Sequence, residues 1–153
     1  MLRNAIPEAL RAALKNQEKR AISTVRLIIA ALKDRDIAAR GKGNTDGIGD
    51  DEILQMLQTM VKQRHDSIEM YEKGGRLELA EQEREEITII EGFLPQQLGD
   101  AEIGAAVDQV IAEVGAGGMK DMGNVMGALR DRYTGQMDFG KASALVKEKL
   151  GAG

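Results

Sequence analysis

Apolar positions recur at spacings of three and four residues along most of the chain, the period of helices with one buried face. A first helix with Pro7 near its start carries Ala9, Leu10, Ala13 and Leu14 on one side. A second is predicted from Lys19 to Ala39, on Ile22, Val25, Ile29 and Leu32, with Ile28 broadening the stripe. The glycines of GKGNTDGIG then interrupt the pattern, and the segment lacks the apolar residues to anchor it, so a mobile loop is expected over Arg40 to Gly49. A third helix, about 51 to 73, buries Ile53, Leu57, Met60, Val61, Ile68 and Tyr71, with Asp50 as its N-cap. Gly74 and Gly75 end it, and a fourth runs from Arg76 to Phe93 until Pro95 stops it.

Three shorter helices complete the chain. Asp100 is the expected cap of the first, which carries Ile103, Val107, Val110, Ile111 and Val114; the second carries Met119, Met122, Val125, Met126 and Leu129. Asp138 caps the third, with Leu145, Val146 and Leu150 inward. No segment alternates apolar and polar residues over a convincing length, so the fold class is all-α. The expected organisation is an N-terminal helical unit over 1–75, a linker helix over 76–99 and a C-terminal helical unit over 100–153.

Composition narrows the chemistry. There is no cysteine among the 153 residues, which removes disulfides, thiolate nucleophiles and cysteine-bound zinc together. No run of about eighteen apolar residues occurs, and the amino terminus mixes charge with apolar residues, so no membrane association and a cytoplasmic location are expected. Aromatic residues make up 3%, too few for a base-stacking surface. The net charge of −4 is segregated: residues 1–40 carry +5, residues 41–99 carry −7 and residues 100–153 carry −2.

Candidate chemistry is sparse. GKGNTDGIG lacks the G-x-x-x-x-G-K-[ST] pattern of a phosphate loop, and its acids lack calcium-loop spacing. The acids of EQEREE read as a solvated face partnered by Arg84 and Arg76. Lys62 stands three residues before His65, the one histidine, so the Glu-x-x-His pair of a di-iron bundle is missing and no metal is expected. No partner is placed to orient His65 as a base, and the chain offers no catalytic residue and no cofactor site. Gly123 and Gly127 form a G-x-x-x-G that permits close approach, either by a neighbouring helix or by a ligand phosphate.

Three motifs carry a family resemblance: K-Q-R-x-x-S-I-E-x-Y-E-K-x-x-R from Lys62, E-x-E-E-I-x-x-I-x-x-F-L-P-x-Q-L from Glu83, and K-D-M-G-x-V-M-G from Lys120. In this order they resemble the GatB/YqeY family, helical proteins similar to the C-terminal portion of the B subunit of glutamine-dependent transfer-RNA amidotransferase. The resemblance implies two different three-helix units joined by a long, partly helical linker. It also implies a non-catalytic module associated with transfer RNA or aminoacyl-tRNA machinery, with carbon–nitrogen ligase activity using glutamine as amido donor only as an inherited association. An adaptor for a protein partner, without an RNA role, and an accessory to that ligase activity are the alternatives. The tail-like segment supplies Lys120, Arg130, Lys141 and Lys147 as expected phosphate contacts.

Overall fold

A computed structural model describes residues 1–151, and its regular elements are all helical. The chain divides after Pro95 into two compact units. The N-terminal unit contains α1 (Leu2–Lys15), α2 (Lys19–Gly41), α3 (Asp50–Lys73) and α4 (Leu77–Glu91). The C-terminal unit contains α5 (Asp100–Val114), a 3-10 turn at Met119–Asp121, α6 (Met122–Tyr133) and α7 (Phe139–Gly151). Each has its own core. Ile6, Val25, Ile28, Ile53, Leu57 and Ile90 are central to the first. Val107, Val110, Val125, Leu129 and Val146 are central to the second.

The N-terminal unit therefore holds four helices rather than three. The segment expected to begin a linker folds back through Gly74 and Gly75 as α4, lying antiparallel along α3. Ala80, Ile87 and Ile90 bury its apolar side, and that burial explains why the segment does not extend as a bridge. Arg64 of α3 reinforces the pairing. Its Nε donates to Glu86 Oε2 at 2.9 Å and lies 4.0 Å from Glu83 Oε2, while Nη1 donates to the Met60 carbonyl at 3.0 Å. Glu83 and Glu86 are thus largely sheltered, with side chains 21% and 16% exposed, so among the acids of EQEREE only Glu81 and Glu85 are solvated. Burial, followed by the neighbouring Glu86, raises the Glu83 pKa above its ordinary value.

Two further expectations change at the helix starts. α1 begins at Leu2, so Pro7 lies inside it rather than near its entry. The buried Ile6 and the Arg3 side chain hold the first turn in place despite the N–H that proline lacks. Gly49 and Gly99, in extended conformation, occupy the cap positions expected for Asp50 and Asp100, which move one residue into the helix. Glu102 Oε1 accepts from the Gly99 N–H at 3.1 Å, and the acids in both first turns face the positive helix end. Asp138 does cap α7: its Oδ1 accepts from the Gly140 and Lys141 N–H groups at 2.9 and 3.2 Å.

The loop between α2 and α3 is anchored, contrary to the sequence expectation. Ile48 is 4% exposed and packs in the N-terminal core. Arg3 donates to both Asp36 carboxylate oxygens at 2.8 and 2.9 Å and to the Ile48 carbonyl at 2.9 Å; the Ile48 N–H returns to Asp36 Oδ1 at 2.9 Å. The Arg3 hydrogen bond holds the Asp36 carboxyl down at about 2. The stability linked to this depression is complete above the ordinary carboxylate value and is lost as pH falls through about 2. Gly47 has φ +90°, and a Cβ there would stand 2.6 Å from Arg3 Nη2 and 2.9 Å from Asp36 Oδ1. Gly47→Ala should cost about 2 kcal/mol through strain and displacement of this ion pair, read as a lower denaturant midpoint; an unchanged midpoint would show that the loop does not depend on the contact.

Thr24 is the exception in an otherwise apolar interior. It is 0% exposed, and its Oγ1 has no hydrogen-bond partner among the described residues. A buried hydroxyl without a partner opposes folding. Thr24→Val, nearly isosteric, should therefore stabilise the protein by about 1 kcal/mol. A fall in melting temperature would mean that the hydroxyl is satisfied in solution.

Candidate nucleic-acid interface in the C-terminal unit

The three α-helices of the C-terminal unit differ in charge. α5 carries Asp100, Glu102, Asp108 and Glu113 and no Lys or Arg, so the cations of the unit lie on the 3-10 turn, α6 and α7. α7 runs parallel to α5. Lys141 Nζ meets Asp100 Oδ1 at 3.0 Å, and eight residues further along each helix Lys149 pairs with Asp108. Arg132 pairs with Glu113 near the ends of α6 and α5. These contacts raise the Lys141 and Arg132 pKa values and lower that of Glu113, in each case chiefly through the side-chain hydrogen bond.

The four basic residues singled out by sequence are consequently not equivalent. Lys141 already has a carboxylate partner, at the rim of an open cleft between α5 and α7 lined by Ile103, Ala144 and Leu145. Lys120, Arg130 and Lys147 are exposed and form no ion pair with any described residue. Nothing in the local sequence shows this difference, because each partner of Lys141 and Lys149 lies 41 residues away along the chain. Helical geometry brings one of the remaining cations beside the glycines: Gly123, Gly127 and Arg130 are spaced four and three residues apart on one side of α6, and Lys120 precedes them in the 3-10 turn. Val125 and Leu129 are buried on the far side of the helix, and Met126, also buried, borders the strip one turn from Arg130.

No helix of the unit closes over Gly123 or Gly127. A Cβ built at either position meets nothing within 4 Å, so of the two partners the motif permits, no neighbouring helix occupies the place among the described residues. The missing side chains instead leave a low strip between Lys120 and Arg130, exposed at Gly123 and half-buried at Gly127. Asn124, overlooked in the sequence reading, is also exposed on this side and adds an amide. Its position one residue after Gly123 was the available signal. Asp131 flanks the strip with one negative charge, whereas Asp121 is occupied, accepting from the Gly117 N–H at 2.9 Å. Met119, expected inward, is 44% exposed, since it falls in the 3-10 turn rather than on the inner side of α6.

Chemically, the strip can attract a polyanion through separated cations and let its backbone approach without side-chain obstruction. Among the described residues, no three His, Asp or Glu side chains gather into a metal site. No helix among them is long and apolar enough to cross a membrane.

Comparison with known proteins agrees with the motif reading. Altered inheritance of mitochondria protein 41, mitochondrial, of Lachancea thermotolerans is 32% identical over 94 residues, covering 60% of this chain and 48% of the relative. An uncharacterised protein of Schizosaccharomyces pombe is 28% identical over 95 residues, covering 62% of this chain and 73% of the relative. The aligned part of the chain thus spans about half the length of the Lachancea protein. The profile of the YqeY-like protein family, in contrast, matches residues 3–150 and takes in both helical units; the chain belongs to that family.

Proposed function

We propose that the protein is a non-catalytic module that binds transfer RNA through the outer face of α6 and the adjoining end of α7. The observation that carries this reading is that Arg130, without an ion pair, shares one side of α6 with the open glycines Gly123 and Gly127, while Lys120, likewise without an ion pair, stands in the 3-10 turn that leads into the helix. Lys147 adds a third unpaired cation on α7, while Lys141 contributes less because Asp100 competes for it. The resemblance of the tail segment to the amidotransferase B subunit supports transfer RNA as the polyanion. Contacts of this type recognise phosphates and shape, not base sequence. No bond-making step is assigned to the chain.

Charge reversal at Lys120, Arg130 and Lys147 tests the reading. The slope of log K against log salt for transfer RNA should decrease in magnitude by roughly 2 to 3, at about 0.7 to 0.9 for each lost phosphate contact. Preference among RNA sequences should hardly change. Reversal of Lys141 alone should have a smaller effect than reversal of Lys147 alone. Unaltered binding by the triple variant, or no binding by the parent at low salt, would overturn the assignment.

A further inference from the structure

A regular row of cations without ion pairs lies in the other unit, on the outward side of α2. Lys19, Arg26, Lys33 and Arg40 recur at every seventh position, and all four are exposed without an ion pair to any described residue. Ser23, Ala30 and Ile37 alternate with them at spacings of four and three and are exposed as well. An α-helix drifts only about 20° per heptad, so these residues form one slowly turning ridge roughly 31 Å long. The core side is opposite, at Val25, Ile28 and Leu32.

The cations that bridge helices in this unit are matched by acids. Arg3 pairs with Asp36, Arg20 with Glu85, Arg64 with Glu86 and Arg84 with Glu72. Along the ridge the ion pairs stop, although the Arg40 charge, one turn from Asp36, still helps to hold that carboxyl down. Asp36 is turned to Arg3, and Asp34, the other acid of α2, stands on the flank beside Lys33.

We infer that this ridge is a second RNA-contact surface, which holds a phosphodiester backbone along α2. Charge complementarity selects the occupant. A row of separated, unpaired Lys and Arg side chains matches a polyanion whose charge continues along its length. A protein partner would require an apolar centre; Ile37 is the only large apolar residue in the row, and Leu27 stands exposed on its flank, too little for such a centre. Small side chains at Ser23 and Ala30 let the backbone settle between successive cations. The inference shares its class of partner with the proposed function but rests on different residues in a different unit, so either can fail without the other.

The test replaces Lys19, Arg26, Lys33 and Arg40 together by Gln, a good helix former, in the full chain. Binding of a single purified transfer RNA is then followed by anisotropy across a salt series, with circular dichroism reporting the fold. The salt slope should fall in magnitude by roughly 2.8 to 3.6. The paired change Arg26→Gln and Lys33→Gln, less demanding of the fold, should lower it by roughly 1.4 to 1.8. A slope equal to the parent's in both folded variants overturns the inference, and so does a parent that binds no RNA. An acidic helical peptide that binds the parent but not the variants, with the RNA slope unaltered, would assign the ridge to a protein and likewise overturn it. Should ridge variants retain the parent slope while reversal of Lys120, Arg130 and Lys147 lowers it, the ridge fails and the proposed function stands.

Discussion

Val125→Asp should unfold the C-terminal unit. Val125 is 0% exposed and packs among Val107, Val110, Leu129 and Val146 in a core built from three short helices. A carboxylate placed there has no cation within the cluster, since the basic residues of the unit lie outside it. The expected cost is on the order of 4 kcal/mol, from lost apolar contact and an unpaired buried charge. So small a unit has little stability in reserve, and a loss of this size removes most of it. Amide spectra should show collapse of dispersion for residues after Gln96 while signals of the four-helix unit persist. Wild-type melting in the variant would refute the assigned inner face of α6.

The second large effect is expected between α3 and α4. Arg64→Leu removes the cation shared by Glu83 and Glu86, whose side chains remain sheltered side by side. Breaking a buried ion cluster from one side costs about 3 kcal/mol, because the remaining charges lose their compensation. The deficit should depend on pH. Glu83 already has a raised pKa, and without Arg64 the rise should grow. A raised carboxyl pKa carries no penalty while the group is protonated in both folded and unfolded states; the penalty develops as pH rises through the ordinary carboxylate range toward the raised value. The variant should therefore approach the parent's melting temperature in mild acid and fall furthest below it at neutral pH. A pH-independent difference would show that lost packing by Arg64, not charge, is responsible.

Local patterns in the sequence revealed the helices and not their partners. The spacing of Ile103, Val107 and Val110, or of Val125, Met126 and Leu129, specifies a helix and its inner face because neighbouring turns carry the information. Asp138 was readable as a cap for the same reason. Asp50 and Asp100 were displaced by one residue because the glycine before each adopts the cap conformation. Longer-range facts were invisible. One isoleucine, Ile48, anchors a glycine-rich loop by reaching a core formed from α1, α2 and α3, and Arg3 secures it from 45 residues away. α4 shows its apolar face in the sequence, but only the turn at Gly74 and Gly75 and the Arg64 contact decide that it packs back on α3.

The candidate site divides in the same way. Lys120, Arg130, Lys141 and Lys147 were recognisable as a cationic set, yet the distinction between paired and unpaired members depends on Asp100 across the unit. The G-x-x-x-G spacing permits either a packed helix or an open strip. Only the positions of the other helices select the open one.

The most direct measurement is titration of transfer RNA into isotopically labelled protein at low salt, followed by amide chemical shifts. Within the C-terminal unit, the largest shifts should occur at Gly123, Asn124 and Gly127 and next to Lys120, Arg130 and Lys147. They should reverse on addition of salt, and the acidic outer side of α5 should remain unchanged. Saturable shifts confined to α5 or the Ile103–Leu145 cleft, or no shifts in the unit at all, would contradict the account.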